Sequence, residues 1–419
     1  MALPKAKKPV AKIPAMVLEK GKTDAGDIVK VFNKAYGVNS LQVLNLDDNS
    51  KPRYWVSTGS FELNNAITKA GWGVPFGKIV TITGKKSSGK TTIAQQIVAE
   101  AQKGVLDVET STKVDADTFW LDAEIAFDQD RAVAIGVDPN RMMIGQPDYL
   151  EQVFEKLESI IEIAEQTKRP TVVVWDSVAA SPTQKELEGD KGEGGHYGEH
   201  SKLLSQWFRK IAKRLGKTNI LFFIINQVKV NINAMYDKDT YIGKNALDFH
   251  SHLMMTIYQS GKVEEDDTEI GIASTIEITK NRLWKPFEER ILHIMFGDDK
   301  YKSGCDVNWE ALEIGKRNLR ARLNGSWNQI IEPCSDCLVP NENTELVEKG
   351  AEPAMIPSGK GPDGKTCPTC EGTYYRQIEG FKQFYARDIQ YKIEDTPGLL
   401  DYLVNGTPMP ALEPKTKKA

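Results

Sequence analysis

The sequence predicts an α/β fold: a mainly parallel sheet flanked by helices, preceded by a helix–strand arm and followed by a small α+β C-terminal domain. Three observations predict it. Between Gly77 and Gln227, apolar strand-like runs alternate with stretches of helical periodicity. The first of these runs opens into a Gly/Ser-rich turn closed by Lys-Thr, and then into a helix. Each run also ends in a polar residue on the side where an open α/β sheet receives its ligand.

Taken in order, residues 1–23 are rich in Lys and Pro and predict a flexible basic arm. Residues 24–56 hold a short helix, with Ile28, Val31 and Phe32 spaced for one apolar face, and then a strand over 41–46. Gly37 separates the two. The core, residues 57–297, carries strands at 79–83, 118–122, 171–176 and 220–226, with helices at 90–103, 149–166 and 199–215 between them. Further strands are expected at 253–259, 273–279 and 290–296. A composition shift over 297–304 begins a C-terminal domain, residues 298–405, into which a zinc ribbon at 332–372 is inserted. Residues 406–419 read as a flexible tail.

A chain of 419 residues is long enough for one large core and a smaller appended domain. With 40% hydrophobic and 27% charged residues its composition is that of a globular protein. No run approaches the ~18 apolar residues of a membrane span. The N-terminal stretch lacks the apolar block of a signal peptide, so the expectation is a cytoplasmic protein that meets no membrane. The net charge of −4 does not advertise nucleic-acid binding; any such site must be a local basic surface.

The string Gly84-Lys85-Lys86-Ser87-Ser88-Gly89-Lys90-Thr91, with Thr92 behind it, fits the phosphate-binding loop G-x-x-x-x-G-K-[ST]. Its glycines let backbone N–H groups turn inward around phosphate, and the helix that follows adds its positive dipole end. Lys90 is placed to reach the β- and γ-phosphates of ATP, and Thr91 to ligate Mg²⁺. The other strand ends complete a hydrolytic constellation. Asp176 suits Mg²⁺, directly or through water; Glu124 can activate the attacking water; Gln227 can sense the γ-phosphate.

At this point the chain resembles the RecA family. The stretches Ser57-Thr-Gly-Ser-Phe-Glu-Leu-Asn, Gly77 to Thr92, Leu121-Asp-Ala-Glu-Ile-Ala-Phe-Asp, Val174-Trp-Asp-Ser-Val-Ala-Ala, Phe223-Ile-Ile-Asn-Gln and Thr279-Lys-Asn-Arg-Leu-Trp-Lys-Pro-Phe follow in that family's order over roughly residues 24–297. The resemblance implies a RecA-like ATPase core in which Glu124 is the catalytic glutamate, Asp176 the Mg²⁺-associated aspartate and Gln227 the nucleotide sensor. It places Lys280 and Arg282 where two cations reach the ATP of a neighbouring subunit, in the manner of arginine fingers. It further implies an N-terminal helix that docks on a neighbour through Ile28 and Phe32, although the pattern alone equally suits a helix packed on its own domain.

Two loops resemble the family's DNA-binding loops. The Gly-rich segment after Glu188 is acidic for that role. The second segment leaves directly from Gln227 and carries Lys229, Met235, Tyr236, Lys238 and Lys244. Lysines there can meet phosphates, and Met235 or Tyr236 can wedge against bases. Continuity with Gln227 would tie the γ-phosphate to DNA affinity. Arg209, on the basic side of the 199–215 helix, is a weaker DNA candidate.

The sequence also departs from the family. An insertion spans 107–117, and its role is not legible in its composition. Arg131 stands where the family often stacks a tyrosine on adenine; a guanidinium can stack on a base as well, and Asp128 is a further candidate for contact with it. Cys334 and Cys337 form one CxxC pair, Cys367 and Cys370 another, with 29 residues between them. Two such pairs suit a closed, structural tetrahedral Zn²⁺ site, reduced thiols or disulfides being the alternatives.

The resemblance implies an ATP-dependent recombinase that forms a helical filament on single-stranded DNA and exchanges strands with duplex DNA. Its expected partners include mediator and single-strand-binding proteins, and the chain is compatible with a bacterial or a phage source in host cytoplasm. A hexameric DNA motor or helicase on the same core, and a nucleotide-switched single-strand coat without strand exchange, are the alternatives.

Overall fold

The computed structural model describes residues 24–37, 51–188, 199–230, 239–318, 321–324, 327–333, 338–340, 355–357, 375–377, 389–396 and 398–405. Residues 1–52 form one unit and residues 53–419 another. In the first, α1 (Ala25–Tyr36) is capped by Asp24, whose carboxylate accepts from Asp27 N at 2.8 Å, and it ends at Gly37. Its apolar face carries Phe32, its ring tilted against Tyr36 with centroids 4.6 Å apart, and Ile28, which is half exposed. The strand expected at 41–46 lies outside the described residues.

The second unit opens with β1 (Tyr54–Val56), α2 (Phe61–Ile67), β2 (Val74–Pro75), β3 (Lys78–Gly84) and α3 (Lys90–Gln102). Then come β4 (Val105–Asp107), β5 (Thr112–Val114), β6 (Asp117–Asp122), α4 (Gln129–Ile135), β7 (Met142–Gly145), α5 (Leu150–Thr167) and β8 (Thr171–Asp176). After α6 (Gln184–Glu188) and α7 (Glu199–Leu215), β9 (Ile220–Gln227) leads through the short pair β10 (Lys229–Val230) and β11 (Asp239–Thr240) into α8 (Lys244–His250). The core closes with β12 (Leu253–Glu265), β13 (Thr268–Asn281), β14 (Glu289–Met295) and β15 (Gly304–Cys305).

One nine-stranded sheet orders these as β15-β14-β13-β12-β3-β9-β8-β6-β7. From β12 to β7 every pairing is parallel; from β12 to β15 every pairing is antiparallel. The sheet is therefore mixed but mainly parallel. Its apolar strands are continuous because both faces are covered. Along β9, Leu221, Phe223 and Ile225 join the core under α2 and α3, whereas Ile220, Phe222 and Ile224 join the core under α5, α7 and α8. The same period-two division splits β8, with Val172 and Val174 on one side and Val173 and Trp175 on the other.

Two features exceed the sequence reading. The β12–β13 hairpin runs 13 and 14 residues, well beyond the apolar spans 253–259 and 273–279, because its outer half is exposed and polar and so lacks a hydrophobic period. The insertion at 107–117 folds as the β4–β5 hairpin of a second sheet, β2-β1-β4-β5. Arg53 holds its base, donating to both Asp107 oxygens at 3.0 and 2.6 Å.

Beyond the core, Asp306 caps α9 (Val307–Arg317), accepting from Asn308 N and Trp309 N. Glu310 of α9 is fully buried against α2: Ser60 Oγ donates to it at 2.8 Å and Glu62 N at 3.2 Å. Burial pushes its carboxyl up to about 8. Then follow β16 (Ala321–Asn324), β17 (Trp327–Pro333), β18 (Leu338–Pro340), β19 (Met355–Pro357), β20 (Tyr375–Gln377), α10 (Ile389–Asp395) and α11 (Leu399–Asn405). α9, α10 and α11 share a small core of Ala311, Leu312, Ile389, Leu399 and Leu403. Strand β17 pairs antiparallel with β20, Pro333 opposite Tyr375.

Phe222 is buried in the α5/α7 layer, parallel to Trp175 and edge-on to Trp207. Phe222→Ala removes a large side chain from a close-packed layer and is expected to cost about 3–5 kcal/mol. Urea unfolding measures it; a loss under 1 kcal/mol would mean that this layer can collapse around the gap.

Candidate nucleotide site

The site grows from the carboxyl end of β3. Gly84 ends that strand level with Gln227 of β9 and Ile257 of β12. A Cβ on Gly84 would stand 2.3 Å from the Ile257 carbonyl, so the chain can turn here only as glycine. Gly89 enters α3 at φ +97°, and a Cβ there would meet Ile294 Cδ1 at 2.3 Å. Between them Lys85, Lys86 and Ser87 are exposed and Ser88 is buried, as is Lys90 just after Gly89. Ser88 Oγ donates to Lys85 O at 2.9 Å, and Ser274 of β13 donates to Ser88 O at 3.1 Å. The loop is thus tied to itself and to a strand from another part of the chain.

Lys90 Nζ lies inside this loop, donating to Lys85 O at 2.6 Å. Burial lowers the lysine's pKa, and the charges of Asp176 and Glu124 oppose that shift. Thr91 Oγ1 donates to Asp176 Oδ2 at 3.2 Å. Asp176 is buried at the end of β8, and its carboxyl is pushed up to about 7 by burial first, then by Glu124 and Asp122. The Thr91 hydroxyl and the buried Asp176 carboxylate make a donor pair that fits a divalent cation.

Glu124 is presented by the turn after β6. Asp122 accepts from Ala126 N and Phe127 N at 3.3 and 3.1 Å, and the carbonyl of Asp176 accepts from Ala123 N and Glu124 N. Glu124 Oε1 accepts from Gln227 Nε2 at 2.7 Å and from Ser177 Oγ at 2.7 Å. Lys90, Thr91, Glu124, Asp176 and Gln227, far apart in sequence, therefore meet at one edge of the sheet.

A cleft of about 500 Å³ adjoins the loop. Ser87 to Thr92 form one wall; Arg131, Gln259, Glu269, Ile272, Ile294 and Phe296 contribute the rest. Arg131 reaches Thr92 Oγ1 at 3.2 Å, whereas Asp128 caps α4 through Arg131 N at 3.0 Å and does not line the cleft. Gln259, Glu269, Ile272 and Ile294 of β12, β13 and β14, with Phe296 just past β14, carry no motif; strand pairing brings them to the loop.

Lys280 and Arg282 stand elsewhere. Lys280 pairs with Met254, which lies beside Thr81, and Arg282 N donates to His252 O at 3.0 Å, toward the start of β3. Their side chains donate to the last carbonyls of α8: Lys280 to Asp248 and Phe249, and Arg282 to Phe249 at 3.3 Å. His252 beside them is driven down to about 4 by burial and by Lys78, Arg282 and Lys280. This is a cluster of positive charge at the opposite strand ends from the chain's own phosphate loop.

Of the DNA-loop candidates, Met235, Tyr236 and Lys238 lie outside the described residues, and Lys229 is placed only as backbone opposite Thr240. Lys244 opens α8 with its ammonium 5.9 Å from the Tyr241 ring centroid. Asn226 Nδ2 donates to Ile242 O at 2.8 Å, clasping the two ends of this loop. Arg209 is exposed on α7, donating to Ser205 O at 3.1 Å. Cys334, Cys337, Cys367 and Cys370 lie outside the described residues.

With this geometry in place, comparison with known proteins decides the lineage. The family model of the RecA N-terminal domain matches residues 25–300. The chain belongs to the RecA family. It is similar to Protein RecA of Azospirillum lipoferum (strain 4B), 33% identical over 297 residues that cover 71% of this chain and 77% of that protein. RecA-family membership implies a DNA-dependent ATPase that uses ATP and Mg²⁺. Among the described residues, no helix is long and apolar enough to cross a membrane.

The raised Asp176 carboxyl makes the stability of the fold depend on pH. Between pH 3.8 and about 7 the native fold holds a proton that the unfolded chain has released. The stability from that proton is complete below pH 3.8 and is lost as pH rises through about 7. In metal-free buffer at pH 8, Asp176→Asn should therefore be more stable than the parent by roughly 2–4 kcal/mol, with the gap closing toward pH 4. Denaturation in chelator across this range checks it; a less stable variant at pH 8 would show the carboxylate to be well compensated.

Proposed function

We propose that the chain is an ATP-dependent DNA recombinase that assembles as a filament on single-stranded DNA, pairs it with homologous duplex and exchanges strands. The observation that carries this reading is the separation of Lys280 and Arg282 from their own phosphate loop. Charge-stabilising cations at the wrong end of their own sheet are useful to the site of a neighbouring copy, so the working unit is an assembly.

Within one chain the proposed roles follow the geometry. The loop from Gly84 to Thr92 presents backbone N–H groups to the phosphates, and Lys90 replaces its contact with Lys85 O by contact with β- and γ-phosphate oxygens. Thr91 and Asp176 would hold Mg²⁺, directly or through water. Among the described residues no group of three His, Cys, Asp or Glu forms a metal cage, as suits a cation held partly by nucleotide oxygens. Bound Mg²⁺ supplies charge neutralisation on those oxygens. Glu124 takes the proton of the attacking water, and Gln227, at the foot of a DNA loop, reports on the γ-phosphate. Arg131 and the Ile272, Ile294 and Phe296 side of the cleft receive the base, with Asp128 at its approach.

Lys229, Met235, Tyr236, Lys238, Lys244 and Arg209 form the DNA surface, and Ile28 and Phe32 dock on the adjacent subunit. A structural zinc site held by Cys334, Cys337, Cys367 and Cys370 belongs to the same reading, on the spacing of the two CxxC pairs alone. Mediator and single-strand-binding proteins are the proposed partners, in cytoplasm of the cell or of a phage host.

ATP hydrolysis by the full chain should rise at least tenfold on adding single-stranded DNA, and the same preparation should form joint molecules between single strand and homologous duplex. Stimulation without joint molecules would leave a motor or a coat. Lys280→Ala with Arg282→Ala should lower kcat by about 10³-fold while ATP still binds; loss of binding itself would make these residues structural.

A further inference from the structure

Ser177 follows Asp176 at the end of β8 and is fully buried. Among the described residues, its hydroxyl has Glu124 as its hydrogen-bond partner, donating to Oε1 at 2.7 Å. Gln227 Nε2 donates to the same oxygen at the same distance. Two donors occupy both lone pairs of Oε1 and leave Oε2 as the open basic atom. The two donors differ in how they are held. The Ser177 carbonyl accepts from Ala180 N at 3.2 Å and from Ser181 Oγ at 3.0 Å, and Ser181 is in turn held by the buried Trp175 indole N–H at 3.1 Å. Gln227 is partly exposed, has a longer side chain, and stands at the exit into a loop.

We propose that Ser177 is a positioning residue for hydrolysis: its hydroxyl keeps the Glu124 carboxylate aimed beside Thr91 and Asp176 while Gln227 exchanges between Glu124 and the γ-phosphate. Without Ser177, each release of Glu124 by Gln227 would leave an exposed carboxylate free to rotate. With it, Gln227 can act as a sensor without disorganising the base. The proposal rests on the reading of Glu124 as the group that activates water.

The backbone contacts of Ser177 survive Ser177→Ala, so this variant removes one hydroxyl and keeps its surroundings. In steady-state hydrolysis by the full chain with Mg²⁺ and single-stranded DNA, kcat should fall about tenfold with KM for ATP unchanged, and Ser177→Thr, where the added methyl is accommodated, should recover most of it. The deciding measurement is a double-mutant cycle in single turnover. In a Glu124→Gln background, Ser177→Ala should cause no further loss. An equal loss in both backgrounds, or a kcat for Ser177→Ala within twofold of the parent, overturns the positioning role. If Glu124→Gln hydrolyses ATP like the parent, the reading of Glu124 fails instead, and Ser177 loses its proposed purpose with it.

Discussion

Gly84 lies level with Gln227 on one neighbouring strand and with Ile257 on the other, and most of the site depends on that register. A slip of one residue in either pairing would turn every side chain of that strand to the other face. It would carry Gln227 away from Glu124 and open the contact between the loop and the Ile257 carbonyl. Both faces of β3 and β9 are buried, so the register is held by close packing of side chains of different shape against the two helical layers. Packing of the two helical layers thus sets the positions of polar atoms at the strand ends to within hydrogen-bond tolerance.

Those polar atoms are arranged at the expense of stability. Asp176, Glu124 and Asp122 crowd one another, and the Asp176 carboxyl rises to about 7 because burial and like charge disfavour its ionised form. Lys90 is buried beside them, its charge disfavoured by burial and favoured by the same carboxylates. At the other strand ends, Lys78, Lys280 and Arg282 crowd His252. One chain therefore presents crowded carboxylates beside the lysines of its loop at one set of strand ends, and a cluster of cations at the other. Stacking copies head to tail would bring the two together, which is the electrostatic logic of the proposed filament.

Glu124 illustrates how this charge is managed locally. Ser177 and Gln227 share a single oxygen, and they come from different strands with different exposure. Asn226, next to Gln227, clasps the far end of the same loop through Ile242. The described ends of the loop are thereby tied to the residues around Glu124 through short, direct bonds rather than through a long relay.

The sequence by itself determined the α/β class, the phosphate loop and the strand-end residues Glu124, Asp176 and Gln227. Each of these is a local pattern: an apolar run, a glycine spacing, a polar residue where a strand stops. Ser177 was not legible, because a serine after a strand is ordinary until the acceptor of its hydroxyl, 53 positions away, is known. Nor were Gln259, Glu269, Ile272, Ile294 and Phe296, which reach the cleft only because β12, β13 and β14 fold back beside β3. The 107–117 insertion gained meaning as a hairpin through Arg53, a residue on the preceding strand's approach. Local chemistry is written in spacing along the chain, whereas the walls of a cleft and the partners of a buried hydroxyl arise from pairings between distant segments, which only the packed sheet decides.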